Sequence, residues 1–291
     1  MPNKPRIEQK SRNVHYVRFD DIASGWEQWV LLMSDNHHDS TNCRRKLERE
    51  HMQMAKERDG LIIFFGDVFD AMQGKFDPRR SLSEVRPEDA SADYFNKIVE
   101  HAADDYGEFA DNIVLFGKGN HETAVLDKTN TDLISNLVYR LNQEHVTNGH
   151  RIYCGYTGGW VSFLFTFNKT KRASYRLKYN HGNGGAAPVT RGVIQTNRQA
   201  VFLPDADIVV NGHNHQGYIL PIARERLNAS GKVSKDLCWF IRLPGYQDAY
   251  NDGAEGYVVE KNSGPTPNGS VWLRFYLEND KIKCKPIPEF D

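Results

Sequence analysis

Apolar runs of strand length recur along the chain, and a short polar stretch follows each of them. Trp29-Val30-Leu31-Leu32-Met33 precedes Asp35, Leu61-Ile62-Ile63-Phe64-Phe65 precedes Asp67, Ile113-Val114-Leu115-Phe116 precedes Asn120, and Asp207-Ile208-Val209-Val210 precedes His213. Continuous apolar runs of about 4 to 8 residues bounded by turn residues predict strands buried on both faces. Between these runs the apolar period lengthens. Asp39-Ser40-Thr41 opens a predicted helix reaching Arg58, with Cys43, Leu47 and Met54 near helical spacing. Residues 132–141 carry Leu133, Ile134, Leu137, Val138 and Leu141 in a helical stripe. Residues 190–203 read as a third helix, with Val193, Ile194, Val201 and Phe202 on its buried side. Segments 160–167, 173–179, 237–243, 256–260 and 271–277 are rich in aromatic and β-branched residues, as expected of the strands of a second sheet.

The turns after these runs carry the chemistry. In order they read Asp35-Asn36-His37, Gly66-Asp67-Val68-Phe69-Asp70, Gly119-Asn120-His121-Glu122, Asn180-His181-Gly182 and Gly212-His213-Asn214-His215. Any one of them is an ordinary polar loop; the ordered set is what points to a site. Carboxylate, imidazole and amide oxygen suit Mn, Fe, Zn, Co or Ni, whereas a structural zinc more often recruits closely spaced thiolates. Cys43, Cys154, Cys238 and Cys284 are too dispersed for a metal knuckle or a local redox pair, and they fit reduced thiols in preference to the two disulfides that an even count also permits. One carboxylate can bridge two cations about 3.5 to 4 Å apart, and Asp67 is the candidate bridge. Placed at strand ends, such residues would gather at the carboxyl edge of an α/β sheet.

From Trp29 to Tyr257 this pattern resembles the calcineurin-like metallophosphoesterases, the family of the serine/threonine phosphoprotein phosphatases, of certain nucleases and of many bacterial phosphodiesterases. Leu243-Pro244-Gly245 and Gly256-Tyr257 are similar to the strand and turn that follow the family's last histidine pair. The resemblance implies an α/β fold, a four-layer αββα sandwich of two mixed β-sheets flanked by helices. It also implies two divalent metal ions, manganese first, with Fe, Zn, Ni or Co as alternatives. By position, Asp35, His37, Asp67 and His215 would hold the first ion, and Asp67, Asn120, His181 and His213 the second. His121 would protonate the leaving oxygen or steady the phosphate, oriented by Asp70. The implied reaction is hydrolysis of a phosphate ester by a metal-bridging hydroxide. A phosphodiesterase, nucleases included, leads; a phosphomonoesterase acting on a nucleotide, metabolite or phosphoprotein is the alternative, and a silent binding scaffold the third reading. Ala71-Met72-Gln73 stand where the phosphoprotein phosphatases place arginine and glycine after the Asp70 position, which argues against that subgroup. Glu122 matches the phosphatase form of its motif and pulls the other way.

Length, charge and the remaining motifs bound the picture. The 291 residues read as one domain, 1–291, without linker, repeat or low-complexity stretch. With 37 basic against 38 acidic side chains the formal charge is −1, so no global basic field advertises nucleic acid, which stays open as a substrate. No apolar run reaches about 18 residues and the chain starts polar, so a cytoplasmic protein that does not span a membrane is expected. An insertion at 71–90 brings Lys75, Arg79 and Arg80 as candidate phosphate contacts. Gly182-Asn183-Gly184-Gly185 leads to Arg191 at a predicted helix start, where an anion would be favoured. Lys169-Thr170-Lys171-Arg172, with Arg176, Lys178, Tyr175 and Tyr179, reads either as a stacking platform for single strands or, preferably, as a hairpin tip. His38 reads as an exposed or supporting side chain, and Asp39 or Ser40 as a helix cap. His15, His51, His101, His145 and His150 match no motif and read as surface or ordinary polar residues.

Overall fold

The computed structural model describes residues 4–71, 85–147, 149–182, 184, 189–248, 250 and 264–291. In chain order its elements are β1 (Arg6–Ser11), β2 (Val14–Ile22), β3 (Glu27–Met33), α1 (Arg45–Glu57), β4 (Leu61–Phe65), α2 (Tyr94–Gly107), β5 (Ile113–Gly117), α3 (Asn120–Thr129) and α4 (Leu133–Glu144). There follow β6 (Tyr153–Cys154), β7 (Gly158–Phe167), β8 (Lys171–Asn180), α5 (Val193–Phe202), β9 (Ile208–Asn211), β10 (Tyr218–Leu227), β11 (Val233–Arg242), β12 (Gly269–Glu278) and β13 (Lys281–Phe290). Two mixed sheets result, ordered β13-β12-β3-β4-β5-β6 and β1-β2-β7-β8-β9-β11-β10. Strands β3 to β6 run parallel, as do β8, β9 and β11.

The continuous apolar runs are explained by burial on both faces. Val30, Leu32, Ile63 and Phe65 pack between the sheets, against Val161, Phe163 and Phe165 of β7. Their neighbours Leu31, Met33, Ile62 and Phe64 point the other way, into a core shared with α1, α2 and α4. In β5 the alternation slips, with Val114 and Leu115 both facing the inter-sheet core, because the register with β4 shifts between Ile62 and Ile63. A smaller cluster, Ala206, Val209, Cys238 and Phe240, covers the outer face of the seven-stranded sheet beside Ala200 and Leu203. Helix, sheet, sheet and helix are thus stacked in four layers. Among the described residues no helix is long and apolar enough to cross a membrane.

Several expectations are corrected. The first helix starts at Arg45 rather than near Asp39, because Ser40 and Cys43 form bridges with Val85 and Gln247 and Asp39 is engaged elsewhere. The 271–277 segment does not join the second sheet: as β12 it pairs antiparallel with β3 in the first. In α5 only Thr196 is buried, while Ile194, Val201 and Phe202 are exposed. His15 and His51 are core residues, 0 and 5% exposed; His51 contacts the Tyr246 hydroxyl at 2.8 Å. The 256–260 strand lies outside the described residues. The basic stretch near Lys169 is the tip of the β7–β8 hairpin; Tyr179 is fully buried, and the half-buried Tyr175 packs its ring against Phe165 and Phe275 of the core.

Candidate metal centre

Five strand ends deliver the candidate ligands. β3, β4 and β5 of one sheet lead into Asp35, Asp67 and Asn120; β8 and β9 of the other lead into His181 and His213. The site therefore lies at the seam where the carboxyl edges of two sheets meet. Asn120 and His121 are not on a loop, as expected from sequence, but in the first turn of α3.

Two groups of donors form. Asp35, His37 and His215 offer ligand atoms within 4.8 Å of one another, and so do Asp67, His181 and His213. The Asn120 amide oxygen faces the second group, 2.7 Å from His213 Nδ1 and 3.2 Å from His181 Nε2. Asp67 Oδ2 is 2.9 Å from His181 Nε2 and 3.9 Å from His121 Nε2. His37, His121, Asp70 form a third cluster that abuts the first through the shared His37. Among the described residues the buried His37 Nε2 has no partner, an orphan that a cation would satisfy. His181 directs Nδ1 at the Phe65 carbonyl, 3.0 Å away, which fixes the ring and turns Nε2 toward Asp67. The donor set thus fits divalent cations on chemistry as well as placement.

The backbone is bent to make this convergence. Asp35, His37, Asp67, His213 and His215 all adopt positive φ, between 48° and 76°, a left-handed conformation that costs non-glycine residues energy. Neighbouring loops also approach closely. A Cβ on Gly119 would stand 2.0 Å from Asp67 Oδ1, and one on Gly212 would stand 2.3 Å from Asp35 Oδ2, so only glycine fits either place.

Electrostatics follow from burying acids among imidazoles. Burial opposes ionisation of Asp67, but the His181 and His121 fields outweigh it and hold the carboxyl well below its usual range. Asp35 is likewise lowered against burial, by His181 and His215. Burial opposes a charged His37, yet the Asp70 hydrogen bond and the surrounding acids raise it to about 9. His181 rises to about 10 in the same way, through Asp67 and Asp35.

Asp70 meets His121 through its backbone and gives its carboxylate to His37. Its carboxylate contacts His37 Nδ1 at 2.8 Å, whereas His121 Nδ1 lies 2.5 Å from the Asp70 backbone carbonyl and 3.8 Å from Oδ1. Arg191 is exposed at a φ of 45° just before α5, with no polar contact to the candidate ligands among the described residues. Lys75, Arg79 and Arg80 lie outside the described residues.

Acids outside the candidate ligand set hold the loops together. Buried Glu122 accepts from the Asp67, Phe69 and Gly119 amides at 3.1, 3.0 and 2.7 Å, binding two ligand loops to each other. Asp39 does not cap a helix; it accepts from the Asp70 and Ala71 amides and from the Tyr94 hydroxyl. His38 is buried between Glu48 and Asp105, and Glu48 also takes Asn36 and the Tyr106 hydroxyl. Glu122 sits three residues after Gly119, the spacing of a helix N-terminal box, and that signal was readable in sequence.

No family model matches the chain, and no curated protein matches it. Among solved structures it is similar to vacuolar protein sorting 29 from Cryptosporidium parvum, 13% identical with a TM-score of 0.38, over 90% of this chain and 97% of that one. It is similar to the same protein from Entamoeba histolytica, complexed with zinc, at 11% identity and a TM-score of 0.31, covering 89 and 98%. A Streptococcus pneumoniae protein described as a predicted phosphoesterase is 12% identical, with a TM-score of 0.31 over 91% of both chains. In the order of its motifs, in the residue types at its seam and in its layering, the chain resembles the calcineurin-like metallophosphoesterases.

Proposed function

We propose that the protein is a two-metal phosphoester hydrolase, with phosphodiesters as the leading substrates and phosphomonoesters as the alternative. The observation that carries this is the convergence of Asp35, His37 and His215 with Asp67, His181 and His213, with His121 beside Asp67. In this reading Asp35, His37, Asp67 and His215 hold one cation, and Asp67, Asn120, His181 and His213 the other. When bound, the cations supply a water acidic enough to yield hydroxide near neutrality and a counter-charge for phosphoryl oxygens.

The chain's own residues do the rest. Asp70 and the Phe65 carbonyl fix the His37 and His181 rings so that each presents one nitrogen to the seam. Glu122 keeps Asp67 and Asn120 in register by tying their loops together. His121, 12% exposed in its side chain and anchored by the Asp70 carbonyl, presents Nε2 toward the Asp67 side, where it can donate a proton to a departing alkoxide. Every candidate ligand position is filled, which favours turnover over a silent scaffold. The direct test is hydrolysis of a bis-aryl against a mono-aryl phosphate by the manganese-loaded protein. Preference for the diester is expected; the reverse order transfers the reading to monoesters, and no turnover of either despite bound metal supports the scaffold.

A further inference from the structure

The end of β11 buries a cation that the proposed reaction does not use. Arg242 is 2% exposed, and among the described residues no carboxylate pairs with it. Its Nη1 donates to the Gly212 carbonyl at 2.8 Å, its Nη2 to Gln195 Oε1 at 3.3 Å, and its Nε has no partner among the described residues. A desolvated guanidinium without an acid is costly, so its charge has to be offset through something nearby.

The Gly212–His213 peptide provides the route. Its carbonyl accepts from Arg242, and its other end, the His213 amide, donates to both Asp35 oxygens at 2.9 Å. Cation, peptide dipole and carboxylate are therefore aligned head to tail, an arrangement in which each hydrogen bond polarises the next. Two glycines lie against the guanidinium. A Cβ on Gly182, which follows His181, would stand 3.3 Å from Nη1, and one on Gly192 would stand 3.5 Å from Nη2. Gly212 itself receives Ser34 Oγ and Asp35 Oδ2 where its own Cβ would be, at 2.1 and 2.3 Å.

We propose that Arg242 is a positioning residue for Asp35: through the Gly212–His213 peptide it fixes the orientation of that carboxylate and shares its charge. The proposal rests on the two-metal reading of the site, and its effect is confined to the centre that contains Asp35. Partners at this remove from a metal typically change its affinity by about 10- to 100-fold.

The test compares wild type, R242M and R242K by calorimetric titration of the metal-free proteins with manganese and by hydrogen exchange of the His213 amide. R242M is expected to weaken the Asp35-containing centre by about tenfold or more, leave the other step unchanged, and exchange the His213 amide faster at unchanged global stability. R242K, which keeps the charge and one donor, is expected to recover part of both losses. Wild-type affinity and wild-type exchange in R242M, or an equal loss at both centres, overturns the proposal. If R242M does not fold, R242K decides: intermediate weakening and exchange support the relay, and wild-type values overturn it. Failure of wild type to take up metal would sink the parent reading, and the amide exchange would still judge the relay.

Discussion

Asp67 and His121 are neighbours with separable duties. Replacing His121 by asparagine should lower turnover by about 10²- to 10⁴-fold with both metals retained, since a proton donor is lost and no candidate ligand. Asp67→Asn should strip metal as well, and metal analysis beside steady-state kinetics distinguishes the two. Gly119→Ala should resemble the second change, because the added carbon falls on the Asp67 carboxylate. His37 and His181 set the pH behaviour of the metal-free protein. Both hold their protons in the fold, to about 9 and about 10, at pH values where an unfolded chain with an ordinary value of 6.5 has released them. Their contribution is complete below 6.5 and is lost as pH rises through 9 to 10, so metal-free protein should melt earlier at pH 9.5 than at pH 7. Loaded protein, whose imidazoles are already deprotonated by coordination, should not show this slope, and loading near neutrality should release protons that calorimetry in different buffers can count.

Strands and their exits were legible because a doubly covered strand has a distinctive apolar run and a ligand a distinctive side chain. The candidate ligands were therefore readable one by one, while the side chains that hold their loops were not. Asp39 and Arg242 bind backbone groups, which leave no mark in the sequence, and the spacing of Glu122 from Gly119 marks only that one contact and not the reach to Asp67 and Phe69. Helix signals failed where polar groups had other uses: Asp39 looked like a cap but serves the Asp70 loop, and the apolar face of α5 points outward rather than into the core. The Glu122 strap makes an element-scale prediction. Glu122→Gln keeps the shape but removes acceptor capacity, leaving buried amides short of a partner at a cost of about 1 to 3 kcal/mol each. A loss of about 2 to 4 kcal/mol in urea unfolding is expected, with metal affinity falling about 10- to 100-fold because the β4 and α3 ends come loose together. Similar instability without loss of affinity would show that the strap serves the fold alone.

Across the molecule, the two sheets share one interior in which Phe163 and Phe165 of β7 meet Phe275 of β12 at ring separations of 4.9 and 5.2 Å. Cations that bind only the folded state should stabilise it, by about 2.7 kcal/mol at a free concentration one hundred times their dissociation constant. Chelation should accordingly lower the melting temperature, and a melting temperature indifferent to chelator would contradict a resident metal pair. Sequence reading reached the layered plan but misplaced 271–277, since the sheet that the β12–β13 hairpin joins depends on which existing strand offers it a free ladder, here β3. That choice puts Phe275 in the wall opposite β7, far along the chain from any candidate ligand. Asp35, Asp67 and Asn120 hang from one sheet and His181 and His213 from the other, so the thickness of the aromatic filling sets the jaw width of a calliper. Thinning it with Phe275→Ala should alter which ionic radius the protein prefers, turning a remote packing change into a shift of metal selectivity.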